Sequence, residues 1–150
     1  MERPHSIKDT NNLLNYTTWS GGDYSNNLSG ILTSFTLTRV KNYSSNGDYS
    51  IQAVSDTNGY AHMRLGGLEA VKNETYMGSI NIYNNTSTQV SLRLIEPETN
   101  QNTTISIPPN NSMQKITVSH TLTDTSSLIF YLILREPTTV YIDNITLRKQ

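Results

Sequence analysis

The chain has 150 residues and a formal charge of −1 at pH 7, and charged side chains make up 15% of it. This length suits one domain of ordinary size, and so small a charge gives no reason to expect nucleic acid or an anionic membrane surface as a partner. No stretch approaches the roughly 20 apolar residues of a membrane span, so we expect no membrane insertion. Residues 1–10 lack the apolar run of a secretory signal, and there is no cysteine for disulfides or thiolate-bound zinc.

The polarity of the sequence comes from neutral side chains. Asn, Ser and Thr together account for 54 of the 150 residues. Threonine, with the isoleucine, valine and tyrosine that accompany it, favours pleated strands, whereas asparagine and serine favour turns over helix interiors. We therefore predict an all-β domain.

Short runs of alternating apolar and polar residues recur at intervals of about 8–12 residues, the spacing typical of a sandwich or barrel. We predict about ten strands, near residues 12–19, 31–40, 49–54, 60–65, 76–83, 88–95, 103–107, 114–119, 127–135 and 139–147. Residues 68–72 could form one helical turn. Residues 1–11 are expected to be a linker or an expression remnant, and residues 12–150 a two-sheet antiparallel β-sandwich.

Neighbouring strands can be tested as hairpins, because paired residues share a face of the sheet. Loops at residues 55–59 and 85–87 best match apolar residues across the first two hairpins, and the same test extends to the strands that follow. The predicted inward-facing pairs are Tyr49–Leu65, Ile51–Met63, Ala53–Ala61, Gly78–Leu94, Ile80–Leu92, Ile82–Val90, Leu92–Ile107, Leu94–Ile105, Leu132–Ile142 and Leu134–Val140.

The faces that point away from this core carry the candidate binding residues. Amides, arginines and histidine can hydrogen-bond to the hydroxyls of a sugar, and tyrosine rings can stack on its C–H face. The candidates are Gln52, Tyr60, His62 and Arg64 on the first hairpin, Asn81, Tyr83, Gln89 and Arg93 on the second, and Tyr131 on the last. The alternative for each residue is a solvated sheet face without a ligand, and Tyr141 is left open between a platform and a covered residue.

The sequence offers little for catalysis. Its three histidines are His5, His62 and His120, it has no cysteine, and neither G-x-S-x-G nor H-E-x-x-H occurs. We expect His120 to be a solvated histidine at a strand end. Glu96 and Glu98 flank a proline, and we expect them to lie in a solubilising turn rather than to form the carboxylate pair of a glycosidase. We therefore predict that the protein is not an enzyme.

Four segments, in order and at similar spacing, resemble the jelly-roll carbohydrate-binding modules of xylan- and cellulose-binding type. They are residues 12–22 (NLLNYTTWSGG), 47–51 (GDYSI), 68–76 (LEAVKNETY) and 139–147 (TVYIDNITL). The resemblance covers about residues 12–148. It implies a non-catalytic jelly-roll sandwich with a sugar site on the concave face of one sheet or at the loop edge.

The resemblance also implies a structural calcium ion, held by an acidic residue after the first-strand aromatic and by the aspartate of the final strand. Asp143 matches the second position, but Ser20 stands at the first. Calcium takes 6–8 oxygen ligands and could still be bound with backbone carbonyls.

The expected function is recognition of a cell-surface or cell-wall oligo- or polysaccharide, for viral host adhesion or to target an attached enzyme. The Asn/Ser/Thr-rich, cysteine-free composition is similar to that of phage tail and baseplate proteins, which use such modules as accessory adhesins. An extracellular or virion-surface location follows. The alternative is a structural adaptor of the same fold that docks onto other proteins of a larger assembly, since interfaces also favour tyrosine and arginine.

Overall fold

A computed structural model describes residues 35–40, 50–55, 61–84, 90–124, 126–135 and 137–150 of the chain. The described residues form nine strands and no helix. The strands are β1 (Phe35–Val40), β2 (Ser50–Ser55), β3 (Ala61–Ala70), β4 (Thr75–Tyr83), β5 (Val90–Glu96), β6 (Gln101–Ile107), β7 (Gln114–Thr121), β8 (Ser126–Leu134) and β9 (Thr138–Lys149). Within the described residues, nothing forms a helix long and apolar enough to cross a membrane.

The strands form two antiparallel sheets. The five-stranded sheet has the order β1-β2-β9-β4-β7, and the four-stranded sheet has the order β3-β8-β5-β6. Their inner faces share one apolar core, so the predicted all-β sandwich is confirmed. The first predicted strand and the linker at 1–11 lie outside the described residues.

Most of the predicted hairpins are wrong, because the chain repeatedly crosses between the sheets. β2 and β4 belong to the five-stranded sheet, whereas β3 and β5 belong to the four-stranded sheet. Ile51 therefore pairs with Ile142 and Met63 with Leu132, instead of with each other. The described apolar residues used in the test are nevertheless buried, apart from the partly buried Ile105, since either sheet turns its inner face to the same core. The alternation predicted the direction of each side chain correctly but not its strand partner.

The predicted pairing of β5 with β6 is present in the structure, but its register is shifted. Leu92 lies opposite Ile105, and Val90 opposite Ile107, two residues away from the predicted pairing. The connection is tighter than expected because Asn100 adopts a left-handed conformation (φ 61°). Its N–H donates to the Glu96 carbonyl at 2.8 Å, which closes the turn.

Residues 68–72 also differ from the prediction. β3 continues to Ala70, and the reversal follows at Asn73, which has a φ of 70°. The N–H of Glu74 donates to the Val71 carbonyl at 3.1 Å. A β-turn with asparagine in the left-handed region therefore replaces the helical turn.

Glu96 and His120 form a buried hydrogen-bonded pair between the sheets. The Glu96 carboxylate is 0% exposed and lies 2.7 Å from Nε2 of His120, which is 7% exposed. The same carboxylate accepts hydrogen bonds from the backbone N–H and hydroxyl of Thr123 and from the N–H of Asp124. The expectations of a solvated His120 and a solubilising Glu96 are therefore wrong. Glu98, two residues further on, is exposed as expected.

Candidate functional site

The sheet crossings divide the predicted site residues between two opposite surfaces. His62, Arg64, Arg93 and Tyr131 lie on the outer face of the four-stranded sheet, which we call the Tyr131 face. Gln52, Asn81 and Tyr83 lie with Tyr141 on the outer face of the five-stranded sheet, which we call the Tyr141 face. The predicted groupings of Gln52 with His62 and of Tyr83 with Arg93 are wrong. Tyr60 and Gln89 lie outside the described residues.

A row of four side chains crosses the whole Tyr131 face. Arg64 of β3 pairs with Tyr131 of β8, Tyr131 pairs with Arg93 of β5, and Arg93 pairs with Thr104 of β6. Neighbouring strands are about 4.8 Å apart. The tyrosine ring therefore has one arginine on each side, and the two arginine Cα atoms are separated by about 10 Å.

His62 lies beside this row, because it is the outward-facing residue of β3 next to Arg64. Its ring meets the Tyr131 ring edge-on, with centroids 5.7 Å apart and planes at 80°. Burial lowers the pKa of His62, and the positive charge of Arg93 lowers that pKa further. Since the ordinary value is 6.5, the imidazole is neutral at pH 7 and has one N–H and one acceptor nitrogen.

Arg93 is held in place by a series of hydrogen bonds along β6. Its Nε donates to Oγ1 of Thr104 at 2.8 Å, and the Thr104 hydroxyl donates to Oδ1 of Asn102 at 2.9 Å. The amide of Asn102 in turn donates to the carbonyl of Asn100 at 3.1 Å. This series fixes one edge of the guanidinium and leaves its terminal nitrogens to other acceptors.

Arg64 is positioned by a β-bulge. The register between β3 and β8 shifts between Arg64 and Gly66, so Gly67 faces the same side as Arg64. The guanidinium lies over Gly67, where an added Cβ would come within 2.5 Å of a terminal nitrogen. The Nε of Arg64 is buried, and within the described part of the chain it has no hydrogen-bond partner.

The Tyr141 face has a second aromatic pair, formed by two tyrosines with an amide beside them. The rings of Tyr83 and Tyr141 have centroids 6.1 Å apart at an interplanar angle of 66°. Nε2 of Gln52 donates to the Tyr141 hydroxyl at 3.0 Å. This face therefore offers rings and amides whose hydrogen bonds are partly made within the protein.

Asp143 is more enclosed than a solvent-facing ligand would be. It is 1% exposed, and its Oδ1 accepts the N–H of Asn144, which has a φ of 52° in a bulge of β9. Among the described residues, no group of three or more His, Asp or Glu side chains comes together. Ser20 lies outside them, so the described residues supply one carboxylate and the calcium ion stays a prediction.

Sequence reasoning missed two contributors to these surfaces and left a third, Tyr141, open. Thr104 anchors Arg93, Gly67 makes room for Arg64, and Tyr141 pairs with Tyr83. The alternation of β9 placed Tyr141 on an outer face, but its ring partner depends on β4 being the neighbour of β9. Nothing local to Thr104 or Gly67 signals a role, because each acts through a residue on another strand or beyond a bulge.

Comparison with known proteins gives matches in structure only. No protein-family model and no curated protein matches the sequence. The structure is similar to the CBM22-1 xylan-binding domain from Paenibacillus barcinonensis Xyn10C, with a TM-score of 0.59 and 11% identity over 79% of this chain and 83% of that one. It is also similar to TmCBM61 in complex with β-1,4-galactotriose, with a TM-score of 0.54 and 9% identity over 81% and 92% of the two chains. This chain has the jelly-roll fold of carbohydrate-binding modules.

A phage protein shows the same fold within a much longer chain. Tailspike protein 4 of bacteriophage CBA120 matches with a TM-score of 0.59 and 14% identity, over 82% of this chain but 18% of that one. At these identities the likeness concerns the fold. The jelly-roll architecture implied by the sequence resemblance is thus confirmed.

Proposed function

We propose that the protein is a non-catalytic carbohydrate-binding module that holds an oligo- or polysaccharide on the Tyr131 face. The observation that carries the proposal is the row in which Arg64 and Arg93 flank Tyr131, with His62 against its ring. A tyrosine ring can stack on the C–H face of a sugar, and the groups around it can hydrogen-bond to sugar hydroxyls and ring oxygens. Solved carbohydrate-binding modules with the same fold support it.

The Tyr131 face is favoured over the Tyr141 face by its hydrogen-bonding capacity. Arg93 has terminal N–H groups beyond the one bond that its Nε donates to Thr104. On the other face, the Tyr141 hydroxyl already accepts from Gln52. A ligand gains more where donors have not been matched inside the protein.

Binding should be weak for a single site. Each sugar hydroxyl gives up water to bind, so we expect a Kd in the millimolar to micromolar range, or about −4 to −8 kcal/mol. Several copies in one assembly would raise the effective affinity. Recognition of a cell-surface or cell-wall polysaccharide from a virion or an extracellular enzyme is the setting that we propose, in keeping with a similar unit inside a phage tailspike.

The test is binding of the purified protein to a glycan array and to isolated cell walls, with matched tyrosine variants. Tyr131→Ala should lose at least about tenfold in affinity, whereas Tyr141→Ala, which removes a half-buried ring from the opposite sheet, should bind as the unsubstituted protein does. Melting temperatures of both variants control for folding. Loss of binding in Tyr141→Ala alone would move the site to the other face, and binding to no glycan would favour the structural adaptor.

Thermal unfolding of the same purified protein tests calcium. If Asp143 is a ligand, calcium should raise the melting temperature of the protein relative to EDTA, since an ion that binds only the folded state stabilises it. Asp143→Asn should abolish that difference. An unchanged melting temperature in calcium would remove the ion from the proposal.

A further inference from the structure

The two arginines of the Tyr131 face have no carboxylate partner among the described residues. Within that part of the chain, the contacts between an acidic and a basic side chain are Glu96 with His120 and Glu74 with Lys149. Neither involves Arg64 or Arg93. Their positive charges are therefore not neutralised by the described protein groups around them.

Among the described residues, Glu96 lies three positions from Arg93 on β5, but its carboxylate is buried against His120. The exposed acidic residue on the strands of this sheet is Glu69, near its other end. Glu69 pairs with Ser127, four residues along β8 from Tyr131, or about 13 Å at the usual rise of a strand. Glu69 and Glu98 line a separate cleft of about 300 Å³ with Ser126 and Ser127. The Tyr131 row is thus a positive band, and the acidic cleft is a different part of the surface.

His62 lies within the positive potential of this band. The charge of Arg93 lowers the pKa of His62, in addition to the larger effect of burial. The imidazole is consequently neutral at pH 7, and the band carries the two arginine charges alone. A neutral histidine can still donate or accept one hydrogen bond to a sugar hydroxyl.

Arginine has five N–H donors and no acceptor, so a ligand must supply acceptors to match it. Hydrogen bonds from guanidinium to a carboxylate or phosphate are about twice as strong as those to neutral oxygens. In this row, one guanidinium is fixed by Thr104 and the other is packed over Gly67, so the cost of ordering them is met before binding.

We propose that the glycan held on the Tyr131 face is anionic, with carboxylate or phosphate oxyanions bound by Arg64 and Arg93 on either side of Tyr131. A sugar ring stacks on the tyrosine, and the arginines bind acidic groups that flank this ring along the polymer. This inference rests on the proposed function and specifies its ligand class. It also predicts that the neutral form of the same polymer binds less well.

The experiment compares matched acidic and neutral polymers on the full chain. Polygalacturonate and its fully methyl-esterified form share one backbone, and the ester replaces each carboxylate by a neutral methyl ester. A phosphomannan supplies phosphate in place of carboxylate, and xylan is a neutral reference. We expect an acidic polymer to bind at least about tenfold more tightly than the neutral ones, with an affinity that falls as salt rises. Preference for polygalacturonate or for the phosphomannan identifies which oxyanion is recognised.

Arginine variants test whether the preference for acidic polymers depends on Arg64 and Arg93. Arg64→Gln and Arg93→Gln should each weaken binding of the preferred acidic polymer about tenfold or more and reduce its salt dependence. Arg148→Gln makes the same change of charge in β9 of the other sheet and should bind normally. Far-ultraviolet circular dichroism and melting temperature confirm folding, and Arg93→Lys should retain part of the affinity because it keeps the charge.

The outcomes separate the two proposals. Equal binding of polygalacturonate and its methyl ester, binding of xylan alone, or losses in Arg64→Gln and Arg93→Gln no larger than in Arg148→Gln would overturn the anionic ligand and leave the carbohydrate module standing. Binding to none of these polymers and to no glycan of the array would overturn both.

Discussion

Replacing Glu96 with alanine should remove a large part of the stability of this sandwich. The Glu96 carboxylate is fully buried and accepts from four donors: Nε2 of His120, the N–H and hydroxyl of Thr123, and the N–H of Asp124. The other ring nitrogen of His120 is hydrogen-bonded to the Thr103 hydroxyl at 2.9 Å. The network thus joins β5 and β6 of one sheet to β7, an edge strand of the other.

The magnitude follows from what each donor can do once the carboxylate is gone. Four hydrogen bonds to a charged group at about 1.5–3 kcal/mol each would sum to about 6–12 kcal/mol. Thr123 and Asp124 are exposed, however, so water can replace the carboxylate there, whereas His120 stays buried without its partner. We therefore expect a loss of about 3–5 kcal/mol, the usual cost of breaking a buried pair.

Chemical denaturation of Glu96→Ala beside Glu98→Ala measures this loss. Glu98 lies two residues away in the same turn but is exposed, so its replacement should change the unfolding free energy by less than about 0.5 kcal/mol. The melting temperature of Glu96→Ala should fall by roughly 6–20 °C, at about 2–4 °C per kcal/mol. Glu96→Gln should cost less, because its amide oxygen still accepts from Thr123. A difference between the two alanine variants below about 1 kcal/mol would refute the reasoning.

Two further predictions concern stability. Burial by itself raises the pKa of Glu96, but hydrogen bonds from His120 and Thr123 outweigh it and lower the pKa below the ordinary 4.5. The stabilisation should therefore be complete above about pH 4.5 and be lost as the pH falls through the lowered pKa of the folded protein, and a pH series of unfolding should show a shallower acid dependence for Glu96→Ala. Gly78→Ala should destabilise the fold by about 1–3 kcal/mol in thermal denaturation, because the new Cβ would lie 2.8 Å from the buried Phe130 ring. An unchanged melting temperature would show that the ring can move aside.

The sequence was sufficient to predict the fold class and most strand positions. Eight of the observed strands begin within about two residues of their predicted starts, because alternation and turn residues are local signals. The buried Glu96–His120 pair was not predictable in this way. Each residue alone has the pattern of a polar strand end, and the pair exists only because β5 and β7 meet at one end of the sandwich.

The predicted site residues lie on two opposite surfaces for a reason that local sequence patterns also do not show. In a sandwich both sheets turn their apolar faces to one core, so a period of two determines whether a side chain points in or out but not which sheet carries it. Gln52 and His62 are ten residues apart and both point outward, yet they lie on opposite surfaces because β2 and β3 belong to different sheets. The pattern of apolar residues in 49–65 fits a hairpin as well as it fits two strands in different sheets.

The distance between the Tyr131 face and the Tyr141 face limits which residues one ligand can contact. The sheets pack about 10 Å apart, so a sugar that stacks on Tyr131 cannot also reach Tyr83 or Tyr141 behind the core. The choice between the two surfaces therefore depends on the groups around each ring rather than on the number of rings. Around Tyr131 these groups are two arginines without a carboxylate partner in the described chain, whereas around Tyr141 they are a neutral amide and a second tyrosine. Because charged donors distinguish acidic from neutral sugars and rings do not, the arginine row is the feature that would give this surface its specificity.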